Sequence, residues 1–175
     1  LKLIYFFYIY ILNYFMKKKW ITIKSSKRVS IKSEISYLKK KGVILSPWIE
    51  NIFFNKKNQI KLSRNNVDLY RIKVKNLGFK NPTTLQKIYK KIIQSGYKLV
   101  EPDLALRARL YYKDQKRGEW LRFATPFNSM IDTDGVPHLP KLGRALNKYF
   151  IETYWSYKKA IFHPHNEFIV TKDKN

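Results

Sequence analysis

Cysteine is absent from this chain of 175 residues. That excludes disulfides, thiolate zinc sites and cysteine nucleophiles, and it fits a reducing compartment; a cytoplasmic protein is expected. Acidic side chains are scarce, 12 against 36 Lys and Arg, which leaves a formal charge of +24. Arginine is scarce too, with 8 against 28 lysines. Missing as well are a Gly-rich phosphate loop, a G-x-S-x-G elbow and an H-E-x-x-H zinc helix, so the common nucleotide hydrolase, serine hydrolase and metalloprotease signatures are excluded. The longest apolar run is the opening LKLIYFFYIYILNYF, 15 residues, short of the roughly 20 that a bilayer span needs.

What is there can build a core. The chain is 45% apolar and carries 13 Tyr and 11 Phe, enough for one domain of ordinary size rather than a disordered chain. The excess of Lys over Arg has two sources. A phosphate backbone rewards basic side chains through counterion release, and a gene rich in A and T favours lysine codons. Phe, Tyr, Met, Ile, Asn and Lys make up 85 residues, Gly, Ala, Arg and Pro only 26, so part of the charge is codon drift. It is also uneven: residues 1–100 hold 23 basic and 3 acidic side chains, residues 101–175 hold 13 and 9. Phosphate contact is therefore expected mainly in the first half.

Residues 1–15 lack both the flanks of a membrane anchor and the cleavage site of a signal peptide. They read as upstream AT-rich sequence translated from a misplaced start, with Met16 as the expected beginning and no membrane contact. Residues 16–66 read as a basic helical part and linker: a strand at WITIK (20–24), then a helix capped by Ser30, with Ile31, Ile35 and Leu38 on one face and Gly42 at its end. A short helix comes next, with Ser46 as cap and Pro47 at the first position, burying Trp48, Ile49, Ile52 and Phe53. The polar segment 55–66 is the linker.

Residues 67–175 read as an α+β domain. VDLYRIKV (67–74) has strand character, and NPTTLQKIYKKIIQSG (81–96) is an amphipathic helix with capping-box spacing between Thr83 and Gln86. Strands are expected at 106–112, 119–125, 127–131, 149–155 and 167–171, with strand–turn–strand through KLGRALNKYF. The whole is thus an α+β protein, a small helical N-terminal part before a mainly antiparallel sheet packed by one amphipathic helix.

The stretch RARLYYKDQKRGEWLRF (107–123) holds half of the arginines. As two strands joined by KDQKRG, it places Arg107, Arg109 and Tyr111 on the polar face of the first, and Trp120 and Arg122 on the matching face of the second. Guanidinium forks bind phosphate and stack on rings, and Tyr111 and Trp120 would stack bases. The alternative is pairing within the sheet through cation–π contacts, with Glu119 neutralising Arg117 or Lys116.

Catalytic candidates are few. IDTDGVP (131–137) reads as an Asp-Gly turn, since a calcium loop registered on Gly135 would start at Met130 and end at Lys141. Asp132 and Asp134 with His138, His163 and His165 are the remaining inventory for a metal-dependent phosphodiesterase or hydrolase. The pattern LGF (77–79), the helix from Thr83 to Gly96, LRARLYYKDQKRGEWLRFA, DTDG-x-P (132–137) and P-H-N-E-F (164–168) resembles a group of small bacterial proteins of no established activity. The resemblance implies a recurring domain with Gln115 and the Gly118-Glu119-Trp120 turn in its signature, and it implies no catalytic residue, cofactor or metal. The expectation is a non-enzymatic protein binding nucleic acid weakly through its basic first half and the Arg/Trp face. The alternatives are a protein- or small-ligand-interaction module whose charge is drift, and the metal-dependent hydrolase.

Overall fold

A computed structural model describes residues 18–173; the expectation for residues 1–15, and Met16, lie outside them. The fold is α+β. In chain order it comprises β1 (Lys19–Ile23), α1 (Ile31–Lys40), β2 (Ile44–Leu45), α2 (Pro47–Phe54), β3 (Val67–Lys73), β4 (Thr83–Thr84), α3 (Leu85–Gln94), α4 (Asp103–Tyr111), β5 (Trp120–Phe123), β6 (His138–Ala145), β7 (Lys148–Trp155), β8 (Ile161–Phe162) and β9 (Glu167–Thr171). Seven strands form one sheet in the order β1-β3-β9-β5-β6-β7-β2. All neighbours are antiparallel except β5 with β9 and β2 with β7. Both outer strands, β1 and β2, belong to the N-terminal part, and their pairing with β3 and β7 joins that part to the C-terminal strands in a single sheet.

Alternation along the strands divides the interior into two cores. Leu69, Leu121, Phe123, Leu142, Ile151 and Ile169 face α1, α2 and α4. Ile72, Ala124, Leu139, Phe168 and Val170 face α3 and the small β4–β8 ribbon. Period-2 patterning in the strands thus buries apolar side chains on both faces, with helices on each side.

Capping chemistry sets the early helix boundaries. Ser30 Oγ accepts from the Ser33 amide and Ser33 Oγ from the Ser30 amide, a reciprocal box that satisfies two orphan donors. Ser46 caps α2 ahead of Pro47. In that helix Ile49, Ile52 and Phe53 are buried, but Trp48, expected inside, is 54% exposed. The cap of α3 is Thr84, one residue later than expected, because Thr83 and Thr84 are still extended in pairing with Phe162 and Ile161.

Two β expectations fare differently. β6 and β7 form the strand–turn–strand, closed by Leu146 and Asn147 with φ of 48° and 60°, the positive pair that a two-residue hairpin turn requires. Residues 127–131 are not a strand; only Ile131 bridges, to Pro137. The larger correction is 106–112, expected as a strand and found within helix α4 up to Tyr111. Leu, Ala and Arg are strong helix formers, and α4 is buried on every side from Asp103 to Arg109. With no wet face, its polar residues alternate by coincidence, and period-2 inference fails.

Candidate ligand-binding cleft

The arginine hairpin does not exist as a single surface, because its first arm is helical. Arg107 is 2% exposed. Its NH1 donates to the Ser63 carbonyl at 2.9 Å and its NH2 to the carbonyls of Lys24 and Asn65, with Asp103 Oδ2 3.7 Å away. It clamps the exit of β1 to the segment before β3. Arg109, 3% exposed, donates to Gln115 Oε1 and the Tyr112 carbonyl. Gln115 Nε2 in turn donates to the carbonyls of Glu119 (3.0 Å) and Leu142 (3.1 Å). Glu119, expected to neutralise Arg117 or Lys116, instead binds Arg71 at 2.6 Å and accepts from Tyr112 Oη at 2.7 Å; Arg71 also pairs with Glu167. Arg109, Tyr112, Gln115 and Glu119 are thus joined in a largely buried hydrogen-bonded framework.

The second arm keeps its expected alternation. Trp120 and Arg122 lie on the sheet face opposite Leu121 and Phe123. The indole rests against Gly143, where any Cβ would collide with it. Lys141 Nζ sits 4.5 Å from the Trp120 centroid, and Arg122 lies 5.5 Å from Tyr154 and 5.7 Å from Phe162. Burial depresses the pKa of Arg122 and of Lys141. These contacts are cation–π pairs within the fold, though Trp120 takes Lys141 rather than an arginine.

Tyr111 and Arg109 meet on the other side of the sheet, in a cleft of about 550 Å³ between α1, the end of α4 and β7. α1 and its flanks contribute Arg28, Tyr37 and Lys41; α4 and the turn after it contribute Arg109, Tyr111 and Lys113; β7 contributes Tyr149. The spacing of Tyr37 and Lys41 puts them one helical turn apart on one face. No carboxylate lines the cleft. Arg28 is compensated from behind: its Nε and NH2 reach both oxygens of buried Glu34 at 2.5 and 3.2 Å, and that hydrogen-bonded pairing raises its pKa. Lys41, Lys113 and Arg109 have no acidic partner among the described residues.

Arg109 occupies the inner wall of the cleft. Its guanidinium stands 4.4 Å from the Tyr149 centroid, against which Arg144 also packs at 5.3 Å. Its Nε has no partner. Burial pulls its pKa down from 12.5 to about 10, against the weaker opposing pull of Tyr149, Tyr112 and Glu119. Tyr111 is 43% exposed and its hydroxyl accepts from the Lys24 amide at 3.2 Å. A smaller recess of about 180 Å³, bordered by Lys24 and Lys27, shares Arg28 and Tyr111 with the cleft. Sequence reasoning found Arg109 and Tyr111 but missed Arg28, Tyr37, Lys41, Lys113 and Tyr149; only the Tyr37–Lys41 spacing was a usable signal.

The acidic turn is occupied by its own backbone. Asp132 Oδ1 accepts from the amides of Asp134 and Val136 at 3.0 and 2.8 Å, and Oδ2 lies 2.9 Å from His138 Nε2. Burial pushes the Asp132 carboxyl up, but these hydrogen bonds outweigh it and hold its pKa below the usual value. Asp134 is exposed to solvent. His163 and His165 are exposed and stack on each other with centroids 5.6 Å apart. Among the described residues no three His, Asp or Glu side chains gather as a metal site, and no helix is long and apolar enough to cross a membrane.

Fold and cleft together define an α+β protein with a cationic, tyrosine-walled recess. No protein-family model, curated protein or solved structure matches the chain.

Proposed function

We propose that this chain is a non-catalytic binding protein for single-stranded nucleic acid, with the cleft between α1, α4 and β7 as its contact site. The observation that carries this reading is a recess walled by Lys41, Lys113 and Arg109 without a compensating carboxylate, interleaved with Tyr37, Tyr111 and Tyr149. Phosphates reward the cations through counterion release, and a base stacked on an aromatic ring contributes about 1–3 kcal/mol. Tyr111 is the most open ring, whereas Tyr37 carries Arg28 4.2 Å above its centroid. Lys24 and Lys27 extend the positive path beyond the cleft.

The test is fluorescence anisotropy with a labelled single-stranded oligonucleotide across a salt series. Tyr111→Ala is expected to weaken binding about tenfold, and Lys41→Ala with Lys113→Ala to lower the salt slope by about 1.4. Trp120→Ala, on the opposite face, should leave affinity unchanged. Loss through Trp120 with no effect of Tyr111 would return the site to the sheet face and defeat the proposal. A second reading, a protein partner, draws on the exposed Trp48, Trp155 and Tyr157; substitutions there should not affect the oligonucleotide.

A further inference from the structure

Outside the buried arginine framework, three regions hold groups capable of chemistry or recognition. The Asp132–His138 pair is buried and committed to its own turn. The aromatic patch around Trp48 and Trp155 has nothing beside it to specify what covers it. The interior of the cleft carries more.

We infer that the cleft seats a terminal phosphate monoester, at the end of a strand or on a free nucleotide, in preference to an internal phosphodiester. This rests on the nucleic-acid reading above and sharpens it. The first argument is shape. The recess is compact, and one lining brings the guanidinium of Arg109, 3% exposed, together with the exposed lysines Lys41 and Lys113. About 550 Å³ holds a group the size of one nucleotide.

The second argument is charge. Besides Arg28, which Glu34 compensates, three cations line the recess with no acid in its lining, and an internal phosphodiester supplies one negative charge. A phosphate monoester brings about −1.5 to −2 and three acceptor oxygens. The third argument is the state of Arg109. Gln115 and the Tyr112 carbonyl fix its two terminal nitrogens, Tyr149 flanks the plane, and Nε is left without a partner in a buried position. A buried guanidinium that borders the recess without an ion-paired carboxylate is favoured by an anion seated beside it. The guanidinium is thereby oriented before any ligand arrives.

The experiment compares one oligonucleotide sequence in three forms, 5′-phosphorylated, 3′-phosphorylated and unphosphorylated, by anisotropy on the full chain, with adenosine 5′-monophosphate followed in parallel by thermal shift. At least one phosphorylated form is expected to bind tenfold or more tightly than the unphosphorylated one. Lys41→Ala with Lys113→Ala should erase that preference, and Lys158→Ala with Lys159→Ala should retain it. These exposed rim positions are chosen because an Arg109 variant would also disturb folding. Equal binding of the three forms overturns the inference and leaves the strand-binding reading intact. Stabilisation by the mononucleotide without oligonucleotide binding supports the phosphate seat and overturns the strand reading. No response to any of the four probes overturns both.

Discussion

Six positions separate Arg107 from Lys113, and their environments are opposite. Arg107 is sealed beneath β1 and the segment before β3, where its guanidinium serves three carbonyls and Asp103. Lys113 stands exposed at the rim of the cleft with no acidic partner among the described residues. Both count equally in the formal charge of +24. The difference teaches that net charge cannot locate a binding surface. A guanidinium with a planar fork can be buried against backbone carbonyls, whereas an ammonium is strongly hydrated and stays out. In this chain several of the arginines hold the interior together, and Lys41 and Lys113 at the cleft form no ion pair among the described residues.

The sharpest way to break that comparison is Arg107→Ala. Removing the side chain leaves the carbonyls of Lys24, Ser63 and Asn65 short of a donor and Asp103 buried without its cation. A loss of about 3–5 kcal/mol is expected, the range for breaking a buried charged pair. Urea denaturation followed by far-UV circular dichroism would measure it. A loss under about 1 kcal/mol, the scale of an ordinary surface change, would mean that Arg107 does not fasten the fold.

The comparison also explains what could be read in advance. Ser30, Ser46 with Pro47, and the Asp132-Thr133-Asp134-Gly135 turn were legible because caps and turns are local: the deciding side chain bonds to a backbone group two to four residues away. Helix α4 was misread because the usual guide, polar residues on the wet side, fails when Arg107 is buried by carbonyls brought from residues 24, 63 and 65 and Arg109 by Gln115 and the Tyr112 carbonyl. Trp48 was misplaced because an apolar side chain in a two-turn helix carries no mark of which face meets the sheet. The cleft was illegible as a unit because it joins Arg28, Tyr37 and Lys41 to Tyr149 across more than a hundred positions. Only sheet order and helix packing bring them together.

A smaller effect tests the same interior from its acidic side. Asp103 is fully buried; burial raises its pKa from 3.8 to about 6, against the opposing pull of the Ser63 amide and Arg107. The folded state therefore keeps a proton that the unfolded chain releases between about pH 4 and 6. Stability should fall as pH rises through that window, by an amount of order 3 kcal/mol, and level off above it. Asp103→Asn retains an acceptor for the Ser63 amide, which lies 2.8 Å from the carboxylate, and removes the titration. Its stability profile should be flatter than the parent's over that window. An unchanged slope would show that Asp103 is not the group that titrates there.

The smallest expected effect lies at the rim. Lys41 and Lys113 are exposed and form no ion pair among the described residues; Lys41 contributes only a loose contact, 5.5 Å from the Tyr37 centroid. Replacing both with alanine removes two charges from a cationic neighbourhood, which relieves repulsion, and forfeits that one cation–π contact, which is worth little at an exposed site. The two terms oppose each other, so the unfolding free energy should change by less than about 0.5 kcal/mol. Thermal and urea unfolding of the double variant, in low and in moderate salt, would check this. A destabilisation comparable with that of Arg107→Ala would make the rim lysines part of the scaffold, and the distinction between interior and rim cations would fail.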